Sequence, residues 1–287
     1  MGRSKGLVVA GYLVPAYGVL VLFVFVPLAA LLYFSALDNM PGPGIVAHIT
    51  NGNYTILTEE PLYLRLLGKS LELSLAVTAI CIVIGWPAAY ALAKVVRRRR
   101  NTLLSLVVLP FLTSFLLLIY AMLVLLQPSG LLLGPLSAIG LIGSTSTPLY
   151  SETAVIIMLT YEYLPFMILA LYASLERIDG SVVEAARSLG ASPLRIFRTV
   201  LLPLSLPGLE AGLILVFVPA AGSFIEPQIL GGPSGLMLGS VINDQINVVD
   251  DWPLAASLSF VLIASVLILT AICTGVLRLG TRLATRA

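Results

Sequence analysis

Six long apolar runs constrain what this chain can become more than any other feature of it. Residues 7–34, 70–93, 103–126, 152–175, 208–230 and 254–277 each supply the roughly 20 mostly apolar residues that a helix needs to cross a bilayer. Of the 287 residues 59% are hydrophobic and only 10% charged, where soluble domains average about 25% charged. A water-soluble fold has no means of hiding that much apolar surface. The expected fold is therefore an all-α membrane protein with six transmembrane helices in a single domain, 1–287. Arg3 and Lys5 precede the first run as they would in a signal peptide, but the run is too long for one and no small-residue cleavage site closes it. It reads as a retained helix.

Charge placement sets the orientation. With the N-terminus inside, every Lys and Arg except Arg65 and Lys69 falls in an inner segment: Lys94 and Arg97–Arg100, then Arg177, Arg187, Arg195 and Arg198, then Arg278, Arg282 and Arg286. The excess of basic residues on the cytoplasmic side puts both termini in the cytoplasm. The outer loops differ in character. Residues 38–69 carry Pro41-Gly42-Pro43-Gly44 and then Glu59-Glu60-Pro61, a turn followed by a short surface helix. Residues 127–151 are uncharged, and residues 231–253 hold Asp244, Asp250 and Asp251. A net charge of +2 gives no footprint for a nucleic-acid partner.

The inner loop 176–207 carries the most information. Ser181-Val182-Val183-Glu184 fits a capping box, in which Ser181 satisfies an orphan N–H and Glu184 reaches back. Val182, Val183, Ala185, Ala186 and Leu189 then give one sticky face. Gly190 sits where a helix ends in a positive φ, and Ser192-Pro193 restarts the chain as N-cap and first turn. Leu194, Ile196, Phe197 and Val200 give the second piece its apolar side, and Pro203 and Pro207 are expected to end it. The local physics predicts two short helices hinged at a glycine along the inner membrane face. By pattern alone, an ordinary amphipathic surface hairpin fits equally.

The run Glu184-Ala185-Ala186, three residues, Gly190, nine residues, Val200-Leu201-Leu202-Pro203 resembles the EAA motif of ABC-importer permease subunits, E-A-A-x3-G-x9-I-x-L-P, departing from it only by valine at 200. Asp251-Trp252-Pro253-Leu254-Ala255-Ala256 and the segment from Phe224 to Gly232 are similar to the spermidine/putrescine permease component I branch, and the likeness extends over roughly residues 62–277. The resemblance implies a type I importer permease fold and a subunit that couples to an ATPase without hydrolysing ATP itself. It implies as partners a second permease subunit, two ATP-binding subunits and an extracytoplasmic substrate-binding protein in the inner membrane. Carried over by position, Glu184, Ala185, Ala186, Gly190, Val200, Leu202 and Pro203 are the residues that dock the ATPase subunit. Arg187, Arg195 and Arg198 either pair with carboxylates there or serve only the positive-inside pattern.

Ionisable groups inside a membrane cost roughly 2.5–3.5 kcal/mol at a helix centre and point to function. Glu162 lies between Tyr161 and Tyr163 in the fourth run, three residues before Pro165; Glu226 precedes Pro227 and Gln228 near the end of the fifth. A polyamine is a flexible polycation, so carboxylates and aromatic faces are what its path needs. Glu162, Tyr161, Tyr163, Glu226 and Gln228 are the candidates for that path. The alternative is that each glutamate only helps assembly at a helix seam. Glu72 and Glu210 lie near helix ends and reach an interface.

Other chemistries find no support. Gly68-Lys69-Ser70 resembles the end of a P-loop, but Tyr63 stands where glycine is required. Cys81 and Cys273 fall in apolar runs and read as packing residues, His48 has no ligand partners nearby, and no catalytic constellation is present. No cofactor or metal is expected; ATP belongs to the partner. Asn53-Tyr54-Thr55 fits a glycosylation acceptor, a pattern common by chance. The same machinery carrying ferric iron, sulfate or thiosulfate, or an aminophosphonate remains open, as does a lone secondary transporter or membrane enzyme, against which stand the docking signature and the lack of inverted repeats.

Overall fold

The computed structural model describes residues 2–42, 46–96, 98–131, 133–139, 143 and 147–284, with the side chains of 2–16, 136–138 and 282–284 left aside. Pro43-Gly44, Arg97 and Arg286, and the side chains of Arg3, Lys5 and Arg282, therefore lie outside the described residues. Among the described residues the chain is helical and without strands beyond one isolated bridge, Leu37 with Ile49. In chain order the helices are α1 (Gly2–Ser35), α2 (Gly52–Glu59), α3 (Pro61–Tyr90), α4 (Arg100–Val108), α5 (Phe115–Leu125), α6 (Leu133–Ala138), α7 (Glu152–Glu176), α8 (Gly180–Ser188), α9 (Pro193–Ile196), α10 (Leu202–Gly222), α11 (Gly232–Gly235), α12 (Leu238–Asp244) and α13 (Trp252–Ala284). Five stretches are long and apolar enough to cross a membrane: Tyr17–Ser35, Pro61–Val95, Glu152–Glu176, Pro193–Gly222 and Trp252–Thr281. A sixth arises if α4, with its short extension Leu109–Leu112, and α5 form one broken span.

That break is the first departure from expectation. Residues 103–126 do not form one straight helix: the two halves meet at 96°. Pro110 lacks the N–H that would continue an α-helix, the chain tightens into a 3-10 turn over Leu109–Leu112, and Thr113 and Ser114 are extended (ψ 144° and 129°). The second departure is in the fifth span, expected at 208–230. The helix begins earlier and ends at Gly222. Neither Pro203 nor Pro207 stops it: a wide turn over Phe197–Leu201 comes just before Pro203, with the Leu202 N–H donating five residues back to Phe197 O, and Pro207 lies inside the helix. Pro203 then sits in the first turn, where a missing N–H costs nothing. At the other end Ser223 is extended (ψ 140°), and the chain turns helical again from Ile225, widening over Pro227–Gly231.

The fold comprises two compact units, residues 1–64 with 241–262, and residues 65–240 with 263–287. In the first, the loop after α1 is held to its own helix end. Asn53 Nδ2 donates to Ser35 O (3.1 Å) and Leu37 O (2.7 Å), and Ser35 Oγ meets Tyr54 OH at 2.8 Å. Asn53 is buried with its amide spent on backbone, so it does not present itself as a glycan acceptor. Asp38 Oδ1 accepts from His48 N–H (2.7 Å), a bond that holds the Asp38 carboxyl below its ordinary value. At α13, Asp251 Oδ1 caps the Leu254 N–H (3.0 Å).

The second unit is organised around α7. Leu159, Met167, Leu171 and Leu175 of α7 are fully buried against Val77 and Cys81 of α3 and Val216 and Ala220 of α10. Close approach requires glycine at one side of this seam. A Cβ on Gly208 would lie 2.5 Å from Ser174 Cβ and 2.6 Å from Ala170 O, and one on Gly212 would lie 2.6 Å from Met167 Sδ. Gly208 and Gly212 are four residues apart, the small-xxx-small spacing by which membrane helices bring their backbones together. Ion pairs link the helices: Lys69 to Glu152 (2.7 Å), Arg100 to Glu176, and Arg278 to Glu210 by two parallel bonds (2.6 and 2.7 Å); Glu210, expected near a helix end, lies mid-way along α10 because that helix begins at Leu202. Gly208→Val should force α7 and α10 apart and cost about 1–3 kcal/mol. A fall in the melting temperature of the detergent-solubilised protein checks it, and an unchanged melting temperature would contradict the seam.

Candidate functional site

Two places gather the residues singled out by sequence. The first is the hairpin between α7 and α10. Its N-cap is Asp179, not Ser181: the Ser181 N–H donates to Asp179 Oδ1 (3.0 Å), and Ser181 is already inside α8. The expected Ser181–Glu184 capping box is thus replaced by an aspartate two residues upstream, a stronger acceptor at a helix start. That hydrogen bond holds the Asp179 carboxyl below its ordinary 3.8. Helix α8 ends at Gly190, φ +78°, with Ala191 N–H donating to Ala186 O and Gly190 N–H to Arg187 O. This is the paired Schellman pattern, which needs a left-handed residue there. Ser192 then caps α9, its Oγ accepting from Arg195 N–H (3.4 Å), with Pro193 following.

The apolar residues of the hairpin divide between two faces rather than forming one. Val183, Ala186, Ala191, Val200 and Leu202 are half-buried against the core, and Ile196 and Leu201 are buried. Outward stand Val182, Glu184, Ala185, Gly190, Leu194 and Leu189, the last 88% exposed. Of the seven expected docking residues, Glu184, Ala185 and Gly190 therefore lie at the surface. Ala186, Val200 and Leu202 hold the hairpin onto its own chain, with Pro203 half-buried beside them. Leu189 and Leu194 are the apolar groups the motif did not single out; their signal was apolar character on a short polar helix. Behind the hairpin, Trp86 meets Phe197 edge-on (4.5 Å), stacks on Tyr90 (5.5 Å) and donates Nε1–H to Ser205 Oγ (3.4 Å). Lys94 Nζ–H donates to Ile178 O.

The second place is a cavity of about 320 Å³ bordered by α5, α7 and the end of α10. It brings together Glu162, Tyr163 and Glu226 of the five path candidates. Glu226 is 3% exposed, it lines the same cavity as Glu162, and Glu162 Oε2 is buried with no partner. Tyr163 OH lies 3.4 Å from Ser223 Oγ. Tyr161 and Gln228 are not among the lining residues; both are exposed. Tyr161 and Tyr163 are two residues apart and so point about 160° away from each other on α7; of the two, Tyr163 is the one that lines the cavity. Sequence reading missed Phe115, Pro219 and Ser223, which reach the cavity because α5 and α10 both begin or end there. Among the described residues no group of His, Cys, Asp and Glu has the arrangement of a metal site.

A family model described as "Binding-protein-dependent transport system inner membrane component" matches residues 81–286. The chain belongs to this family: it is a multi-pass inner-membrane component of a solute-transport system, a permease rather than an enzyme. It is 39% identical over 250 residues to the spermidine/putrescine transport system permease protein PotB of Escherichia coli, covering 87% of this chain and 90% of that one. It is 40% identical over 240 residues to the protein of the same name from Haemophilus influenzae, covering 84% of each. In fold it is similar to a chain of a bacterial ABC transporter involved in the import of the acidic polysaccharide alginate, with a TM-score of 0.71, 96% of each chain covered and 17% identity.

The Asp179 cap carries a pH signature. Because its carboxyl is held low in the folded chain, the cap is fully present above the ordinary aspartate value and is lost as pH falls through the lowered one. A carboxyl-carbon NMR titration of Asp179 should give a midpoint below 3.8, and a midpoint at or above that figure would remove the cap.

Proposed function

We propose that this chain is the permease subunit of an ATP-driven importer of polyamines, spermidine and putrescine, contributing half of a translocation path and a cytoplasmic docking hairpin. The observation that carries the reading is its 39% identity to PotB over 87% of the chain. In this reading the partners are a second permease subunit, two ATP-binding subunits and an extracytoplasmic binding protein, and both termini are cytoplasmic. ATP is bound by the partner subunit, and this chain carries no cofactor.

The geometry gives the reading a mechanical route. The outward face of the hairpin (Val182, Glu184, Ala185, Leu189 and Leu194) supplies apolar contact for an ATP-binding subunit with one charge to set register. The Trp86–Phe197 contact and the half-buried Val183, Ala186 and Val200 tie any displacement of the hairpin to the bundle. The helical stretch Pro193–Gly222 is 30 residues long, about 45 Å at 1.5 Å per residue, and runs from the hairpin to the cavity. Closure of the ATP-binding pair would move one end of this rod while its other end borders Glu162 and Glu226. Those two carboxyls, with Tyr163, are the acceptors along the cation's path.

Reconstitution with the partner subunits and binding protein in proteoliposomes tests the substrate. ATP-dependent uptake of labelled putrescine and spermidine is expected, and uptake of sulfate or ferric iron instead would overturn the polyamine reading. Leu189→Glu and Glu184→Lys should leave the chain inserted yet lower uptake at least tenfold and detach it from the ATP-binding subunit in co-purification. Wild-type uptake in both would remove the docking role. Gly190→Pro, which fixes φ near −65° where +78° is needed, should act in the same direction.

A further inference from the structure

Along α3 the hydroxyls of Ser74 and Thr78 each return to the carbonyl four residues back, whereas that of Ser70 reaches across the fold. The buried Ser70 Oγ accepts the N–H of Leu238 at 2.8 Å, the first N–H of α12, for which a helix offers no partner of its own. The neighbouring Lys69 Nζ–H donates to Ser234 O besides pairing with Glu152. The Gly68-Lys69-Ser70 run, no P-loop, thus sets a donor and an acceptor side by side at this end of α3. From Leu238 the chain turns back onto the cavity wall. A Cβ on Gly239 would lie 2.7 Å from Ser223 O, and the buried Ser240 Oγ donates to Phe224 O (3.3 Å). Ser223 to Glu226 line the cavity. This wall leaves α10 at Gly222 and is fastened to α3 at Leu238, so it hangs between two helices.

The opposite end of α3 reaches the hairpin. Lys94, in the wide turn Ala91–Val95 that continues the helix, donates to Ile178 O just ahead of α8, and Trp86 packs edge-on against Phe197. Pro87, which removes one bond from the helix, falls between these two contacts, so the weak point is itself braced. Along the helix Lys94 lies about 36 Å from Ser70 at 1.5 Å per residue. We propose that α3 is a second strut between hairpin and cavity, beside α10, with Lys94 and Ser70 as the positioning residues at its two ends. This rests on the importer reading above and names a further connection through which the hairpin acts on the path. Carried by α10 alone, a displacement of the hairpin would move Gly222 while Leu238 stayed behind, shearing the wall between them. Carried by both helices it moves the wall in one piece. A buried N–H stripped of its acceptor is costly, so Leu238 follows Ser70 as α3 moves.

The complete transporter in proteoliposomes reads this as putrescine taken up per ATP hydrolysed. Ser70→Ala, which strips the Leu238 N–H of its acceptor, and Lys94→Met, which removes the donor to Ile178 O, should each lower that ratio roughly threefold or more. Lys94→Arg keeps a donor there and should stay near wild type. Melting temperatures of the solubilised complexes report that the variants are folded, and because the two ends are probed separately, misfolding of one variant leaves the other to decide. A merely structural role would lower uptake and hydrolysis together and leave their ratio unchanged. That result, a wild-type ratio in both variants, or Lys94→Arg failing as Lys94→Met does, overturns the proposal. Wild-type uptake of sulfate or ferric iron in place of putrescine sinks only the polyamine reading, and the ratio is then read on that solute. A wild-type complex that hydrolyses ATP and takes up none of the three removes the importer reading and the strut with it.

Discussion

The approach of α10 to α7 at Gly208 and Gly212 is the contact on which the second unit depends. In a bilayer the lipid tails are as apolar as leucine, so no hydrophobic force drives helices together, and packing has to supply the attraction. Dispersion is individually weak and falls away steeply with separation. Backbones therefore have to come close, and they do so where there is no side chain: the Gly208 Cα sits over Ala170 and Ser174, and Gly212 receives the Met167 sulfur. On the far side of α7, Gly85 of α3 admits the same Met167 side chain. One methionine, with a flexible thioether suited to irregular gaps, thus fills space left by two glycines on different helices.

Polar groups are arranged around that seam so as to disturb it little. Each ion pair has at least one partly exposed member, and pairs so placed contribute modestly; their value here lies in fixing which helices meet. Arg278 grips Glu210 with both edges of a rigid fork, a geometry lysine could not reproduce. Serines and threonines within the spans return their hydroxyls to the carbonyls three or four residues back, as Ser74 does to Ser70 and Thr78 to Ser74. The carboxyls at the cavity are the exception in this pattern: Glu226 follows the bend after Gly222 and Glu162 lies mid-way along α7, while the start of α5 borders the same space. Irregular backbone is tolerated at membrane depth only where it borders such a space.

Much of this was readable from the chain, and the reasons are local. Spans such as Glu152–Glu176 are fixed by composition over some twenty residues, and Gly190 and Ser192-Pro193 announce a helix end and restart through backbone chemistry that needs no neighbour. The features that escaped depend on neighbours. Pro110 and Pro203 are both potential breaks, yet one sits at a 96° corner and the other is absorbed, a difference set by the wide turn before Pro203. The hairpin's apolar residues look equivalent in sequence; only the packing of Val183 and Ala186 against the core separates them from Val182 and Leu189. Glu162 and Glu226 could each be suspected alone, but their meeting comes from the fold after Gly222, and that bend has no strong signal. Tyr161 and Tyr163 are equal neighbours of Glu162 along the chain, and only the packing of α7 shows that Tyr163 is the one that lines the cavity.

The wide turn over Phe197–Leu201 has a consequence for how such a protein tolerates change. A turn of this kind holds one residue more than the helix around it requires, and each residue rotates the remainder of the helix by about 100°. The surplus residue therefore works as an angular setting between the outward side of α8 and α9 and the glycine side of α10. Losing it would leave every local contact chemically possible but aim the hairpin in a different direction from the bundle. By this geometry an insertion or deletion within the bend would re-aim the hairpin, an effect no exchange of a side chain there could have.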